Sequence, residues 1–170
     1  MVATFSWVEY NENATDTGVP TNLNLGSTNA RDLAPSTYPI TAGTYSYSKW
    51  VRGLWTGSFT RIENLQFWMS ASGTGYVTGE KLNCSATTGT YDGTDTYATP
   101  TTDAETAGGT MAAIPVADPG AANIGIGGSL VASLTDTGYS DFIIVQASIG
   151  SNASAGAVQQ KTFTLQYDEV

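Results

Sequence analysis

Glu63, Glu80 and Asp141 are carboxylates that lie on or beside β-prone segments of this 170-residue chain. A pair of such acids at a fixed separation is what glycoside hydrolysis requires, one to protonate the leaving oxygen and one to act as base or nucleophile. Nothing in the spacing sets two of them at such a distance. They read instead as solvent-facing strand residues, some paired with Arg61, Lys81 or Arg52. The chain has no histidine, which removes the usual neutral-pH base, the Ser-His-Asp and Cys-His arrangements and the commonest metal ligand. Cys84 is the sole cysteine, so zinc has no thiolate set and no intrachain disulfide can form. It reads as a small packing residue. Asp92 and Asp95 flank Gly93 in "YDGTDTY" at a spacing that could offer oxygens to calcium, but the ligand series and closing glutamate of an EF-hand are missing. Asp-Gly there is a turn signal. "NIGIGGS", residues 123–129, fails both nucleotide-binding glycine patterns, and no helix follows to aim amides at a phosphate. Gly127 and Gly128 are expected to permit a bulge or a close backbone approach. The sequence therefore assigns no catalytic residue, no cofactor and no metal site.

The elements that must carry these residues are strands. Charged residues make up only 12% of the chain, about half the usual share. No window holds a capped 3.6-residue apolar period. Strand signals recur at "ATFSWVEY", "TNLNLGS", "TYSYSKWVRGLW", "TRIENLQFWM", "GYVTGEKLNCSAT", "IGIGGSLVASL", "GYSDFIIVQASIG" and "QKTFTLQYDEV". "TMAAIPVADPGAAN" carries two prolines and reads as an extended connection. The expectation is an all-β fold: a single antiparallel β-sandwich over residues 1–170, jelly-roll-like, of about eight strands with long polar loops. Residues from about 87 to 122 would form an irregular, loop-rich insertion or arm.

A net charge of −9 with six scattered basic residues excludes the positive stripe that nucleic acid needs. The longest aliphatic–aromatic run, "FIIV", is far too short to span a bilayer. "MVATFSWVEY" lacks the pattern of a signal peptide, so the expectation is synthesis and folding in a reducing cytoplasm, or else a fragment whose signal has been removed.

What remains is aromatic surface. Trp50, Trp55 and Trp68 fall close together, with Tyr45 and Tyr47 just before them. Along "TRIENLQFWM" strict alternation puts Ile62 and Trp68 on one face and Leu65, Phe67 and Met69 on the other. Two explanations compete: a bulge near Gly53 or Asn64 that switches the inward face, or a second face that meets a partner. Exposed Trp and Tyr could also stack on sugar rings.

The segment "YSYSKWVRGLWTGSFTRIENLQFWMSA" (residues 45–71), with "SDFIIVQ" and the ending "FTLQYDEV", resembles small β-rich structural proteins of tailed bacteriophages. That resemblance implies a non-enzymatic virion protein, most plainly a capsid decoration protein on the outer shell. Its partners would be the major capsid protein and neighbouring copies of itself, with no nucleic acid and no membrane. Tyr45, Tyr47, Trp50, Arg52, Trp55 and Trp68 are the expected contact residues. The alternative is a tail- or fibre-associated module that binds host-surface carbohydrate.

Overall fold

A computed structural model describes residues 2–11, 16–71, 79–86, 112–156 and 160–170. Among these the chain is all-β, with antiparallel sheets and no helix. The larger sheet runs in the order β2 (Asp16–Gly18), β1 (Ala3–Asn11), β3 (Lys49–Gly57), β8 (Ile143–Ile149), β5 (Glu80–Ala86), β6 (Ala112–Ala113), with β7 (Gly138–Tyr139) also pairing β3. The smaller sheet pairs β4 (Ile62–Ala71) with β9 (Lys161–Glu169).

Alternation places the core. On β3 the odd positions Val51 and Trp55 are buried while Trp50, Arg52 and Leu54 are only partly so. Pairing continues unbroken from Phe5↔Trp55 to Tyr10↔Trp50, so Gly53 is not a bulge. Its missing side chain instead admits the neighbouring rings. A Cβ there would stand 2.7 Å from the Trp55 ring and 2.9 Å from that of Phe5. Val51, Trp55, Leu82, Ile143 and Val145 from the larger sheet pack with Ile62, Leu65, Phe67 and Met69 from β4 in one cluster. Rings from both sheets meet within it: Trp7 with Phe67 at 6.4 Å and Trp55 with Tyr167 at 5.2 Å. Each fully buried large side chain of this kind is worth about 1.5–3 kcal/mol.

The two-sided strand resolves at Asn64. The β4–β9 register shifts between Glu63 and Gln66, and Asn64 has φ 55°. Asn64 and Leu65 together oppose the single residue Tyr167, which is a β-bulge. The extra residue turns Leu65, Phe67 and Met69 to the side of Ile62, and all four are buried. Asn is one of the few non-glycine residues that takes this left-handed backbone readily, and its side chain donates to the Asp168 carboxylate at 3.0 Å.

Two expected strands are absent. Residues 21–27 are irregular: Asn24 accepts no ladder partner, its amide donates to the Asn22 side chain at 3.0 Å, and its own side chain donates to the Leu33 carbonyl at 2.9 Å. Such local bonds replace a ladder, and Leu23 and Leu25 pack on the core singly. Residues 124–134 form turns. Ile126 and Ser129 bridge across Gly127 and Gly128, whose φ values of 60° and 84° meet the type I′ requirement. Within "TMAAIPVADPGAAN", read as strandless, Ala112–Ala113 pairs with β5. The remainder of the expected arm, 87–111, and with it Asp92 and Asp95, lies outside the described residues, as does the side chain of Cys84.

A buried ion pair pins the long connection between β2 and β3. Lys49 Nζ donates to Glu9 Oε1 and to the Ala30 carbonyl, both at 2.5 Å, with the two charged side chains 4% and 0% exposed.

Candidate interaction surface

The carboxylates first considered for chemistry each have a holding partner. Glu63 lies 2.8 Å from Arg61 at the surface. Glu80 pairs at 3.1 Å with Lys161 of β9 and thereby ties the two sheets together. Asp141, 2% exposed, accepts the Gly128 amide at 2.9 and 3.2 Å and so fastens the Gly127–Gly128 turn. Among the described residues no cluster of three or more His, Cys, Asp or Glu side chains could hold a metal ion.

A different constellation stands on the side of the larger sheet away from the core. The register sets Tyr10 beside Trp50 and Val8 beside Arg52. Trp50 in turn faces Ile144 of β8, and Leu54 faces Tyr139 of β7. Period-two alternation directs all of these to one side. They gather around Phe142, which is fully buried although it lies outside the main core. Tyr10 meets Phe142 edge-on at 4.8 Å and Trp50 does so at 6.0 Å.

Arg52 closes this small cluster. Its guanidinium carbon lies 3.7 Å from the Tyr139 ring centre, 4.5 Å from that of Phe142 and 4.7 Å from that of Tyr10. It also donates through Nη2 to the Tyr10 hydroxyl. Guanidinium is planar and weakly hydrated, so it can lie among three rings where an ammonium cannot. Arg52 Nε and Trp50 Nε1 are buried without a hydrogen-bond partner. The platform thus combines aromatic and arginine groups with a rim, Tyr139, that is 39% exposed.

The six expected contact residues part company here. Trp50 and Arg52 belong to the platform. Tyr45, 40% exposed, sits on the same side but opposite Ser148, four residues along β8 from Ile144 and so about 13 Å away. Tyr47 is half-buried, with its amide bonded to the Gly26 carbonyl. Trp55 is 0% exposed and packs in the main core. Trp68, half-buried, lies on the other sheet, opposite Thr164, on the side of β4 away from its core residues. Sequence reasoning missed Tyr10, Tyr139 and Phe142. Their signal lies only in the pairing of distant strands: the β1–β3 register sets Tyr10 against Trp50, the β3–β7 register sets Tyr139 against Leu54, and Phe142 stands at the approach to β8. Comparison with protein-family models, with curated proteins and with solved structures gives no match.

Proposed function

We propose that the protein is a non-enzymatic virion structural protein, a capsid decoration protein that binds the outer surface of the shell, built as a single jelly-roll-like β-sandwich. The reading rests on one observation above others: a partly exposed patch of Trp50, Arg52 and Tyr139, seated on the buried rings of Tyr10 and Phe142, on the sheet face away from the main core. Tyr, Trp and Arg are among the residue types enriched where proteins meet. The likeness of residues 45–71 to phage structural proteins points the same way. Its action would be by mass action: a ligand that prefers the assembled shell stabilises it by its binding free energy.

The test is add-back to purified shells from the source, followed by sedimentation. Binding should saturate at a simple ratio to the shell protein, and Tyr139→Ser should weaken it by about tenfold or more while the chain stays folded. No binding, or binding indifferent to Tyr139, removes the reading. A carbohydrate-binding role at the tail is favoured by Tyr45 and Tyr139, whose rings are 40% and 39% exposed. A glycan array distinguishes it, because the decoration role requires no sugar.

A further inference from the structure

The two strands of the smaller sheet have outer edges of opposite character. On β4 the outward backbone of Ile62, Leu65, Phe67 and Met69 meets partners. Ile62 exchanges both bonds with Leu134, the Leu65 carbonyl accepts from the Asn123 and Ile124 amides, and the Met69 amide donates to the Pro115 carbonyl. At Phe67 the Asn123 side chain stands in for a strand, donating to the carbonyl at 2.8 Å and accepting from the amide at 2.7 Å.

Those bonds also fix which way β9 points. Directly opposed residues of an antiparallel pair either both face each other or both face away. Phe67 and Met69 face away, so their partners Leu165 and Phe163 do too, and Tyr167 follows by alternation. Their amides and carbonyls therefore line the far edge of β9, where no group among the described residues pairs with them. Phe163, Leu165 and Tyr167 pack on the core yet remain partly exposed. Between Thr162 and Tyr167 β9 has no proline, no bulge of its own and no charge; its charged residues, Lys161, Asp168 and Glu169, stand at the two ends.

We infer that β9 is a self-association edge, where a second copy of the chain adds its own β9 antiparallel about a two-fold axis at Leu165. The occupant follows from the strand's self-complementarity. In that register Phe163 faces the partner copy's Tyr167 position, Thr164 faces Gln166, Thr162 faces Asp168, and Lys161 faces Glu169 of opposite sign. The outward groups of Phe163, Leu165 and Tyr167 alone exchange about six hydrogen bonds, two for each facing pair. Aromatic pairs across strands add to this. Lys161 already binds Glu80, and Glu169 accepts the Ala3 amide, so the strand ends supply matched sign more than new anchors. An isologous pair of this kind closes on itself and makes a dimer, not a fibre. The inference needs no virion setting, and the Arg52 platform on the other sheet stands whether or not it holds.

Sedimentation velocity of the full chain across a concentration series tests it, with two variants that report the register. T164K/Q166K sets like charges across the axis, and T164K/Q166E sets opposite charges there. The dimer should be on the order of tenfold weaker in T164K/Q166K than in T164K/Q166E. General repulsion between acidic copies predicts the reverse order, since two added lysines lower the net negative charge. In the unaltered chain the Phe163, Leu165 and Tyr167 amides should gain hydrogen-exchange protection as concentration rises, while those of Thr164 and Gln166 are protected throughout. A monomer at every concentration, an open-ended polymer, or equal affinity of the two variants overturns the inference.

Discussion

Replacing Arg52 by methionine keeps a stem of similar reach and removes the guanidinium, which isolates what that group does for the fold. Three rings lie within 4.7 Å of its central carbon. At a partly exposed site each such contact is worth about 0.5–1 kcal/mol, hence about 2 kcal/mol together. The bond to the Tyr10 hydroxyl, made by a charged donor, adds about 2 kcal/mol. Against this, the change removes a buried Nε that has no partner, which returns about 1 kcal/mol. The expected net loss is about 3 kcal/mol, a large part of the roughly 5–15 kcal/mol that holds a domain together. For a chain of this length that corresponds to about 6–12 °C in Tm. Arg52→Lys keeps the charge but neither the plane nor the fork, and should recover less than half of the loss. Urea denaturation followed by far-ultraviolet circular dichroism measures both. A loss below about 1 kcal/mol for the methionine variant would refute the account of the platform as a small second core closed by Arg52. Full recovery by lysine would show that charge alone matters there.

Three other outcomes follow from the geometry. Lys49→Met leaves the buried Glu9 carboxylate without its cation and should cost about 3–5 kcal/mol, whereas Glu9→Leu with Lys49→Met should cost much less; a double-mutant cycle by denaturation reads the coupling, and additive losses would deny it. Asn64→Gly should be nearly neutral, because the backbone there has φ 55°, while Asn64→Val should lose about 1–3 kcal/mol in the same assay; equal effects would argue against the bulge. Asp32 accepts the Thr21 hydroxyl at 2.8 Å, and that bond foremost, aided by the Thr21 and Asn22 amides and Arg31, holds its carboxyl below the usual value against the opposing effect of desolvation. Its folded pKa is depressed, so its contribution is complete above the usual carboxylate pKa and is lost as pH falls through the lower folded value. An NMR titration of residues 21–32 should show this, and Thr21→Val should move the midpoint back up.

How far the sequence disclosed the fold depended on whether the chain's own side chains competed with the ladder. β1, β3, β4, β8 and β9 were legible because their apolar residues alternate and sheet pairing follows. Even the bulge at Asn64 could be read, since Ile62 and Leu65 cannot both face inward without an extra residue. "TNLNLGS" alternates equally well, but Asn22 and Asn24 satisfy backbone groups locally, and the segment stays irregular. "IGIGGSLVASL" failed as a strand because two adjacent glycines with positive φ reverse the chain. The surface was harder to read than the core. Trp50 and Trp55 sit five residues apart on one strand, and only odd-even parity separates a platform residue from a fully buried one. The partners that complete the platform come from β1, β7 and the approach to β8, so no local window contains them.

The platform and the open edge lie on different sheets, and that separation has a consequence for binding. A two-fold pair through β9 would present two Arg52 platforms at a fixed spacing, so the second contact with a repeating surface becomes intramolecular. Platforms that are individually weak would then hold firmly, typically by a factor of about 10²–10⁴, provided the surface repeats at a matching distance. A shell lattice offers such repetition, whereas a dispersed soluble partner does not. The T164K/Q166K chain should therefore bind shells far more weakly than the T164K/Q166E chain, although both carry an unaltered Arg52 platform. If the two bind shells alike while differing in dimerisation, the platform acts one copy at a time, and the β9 edge serves some purpose other than attachment.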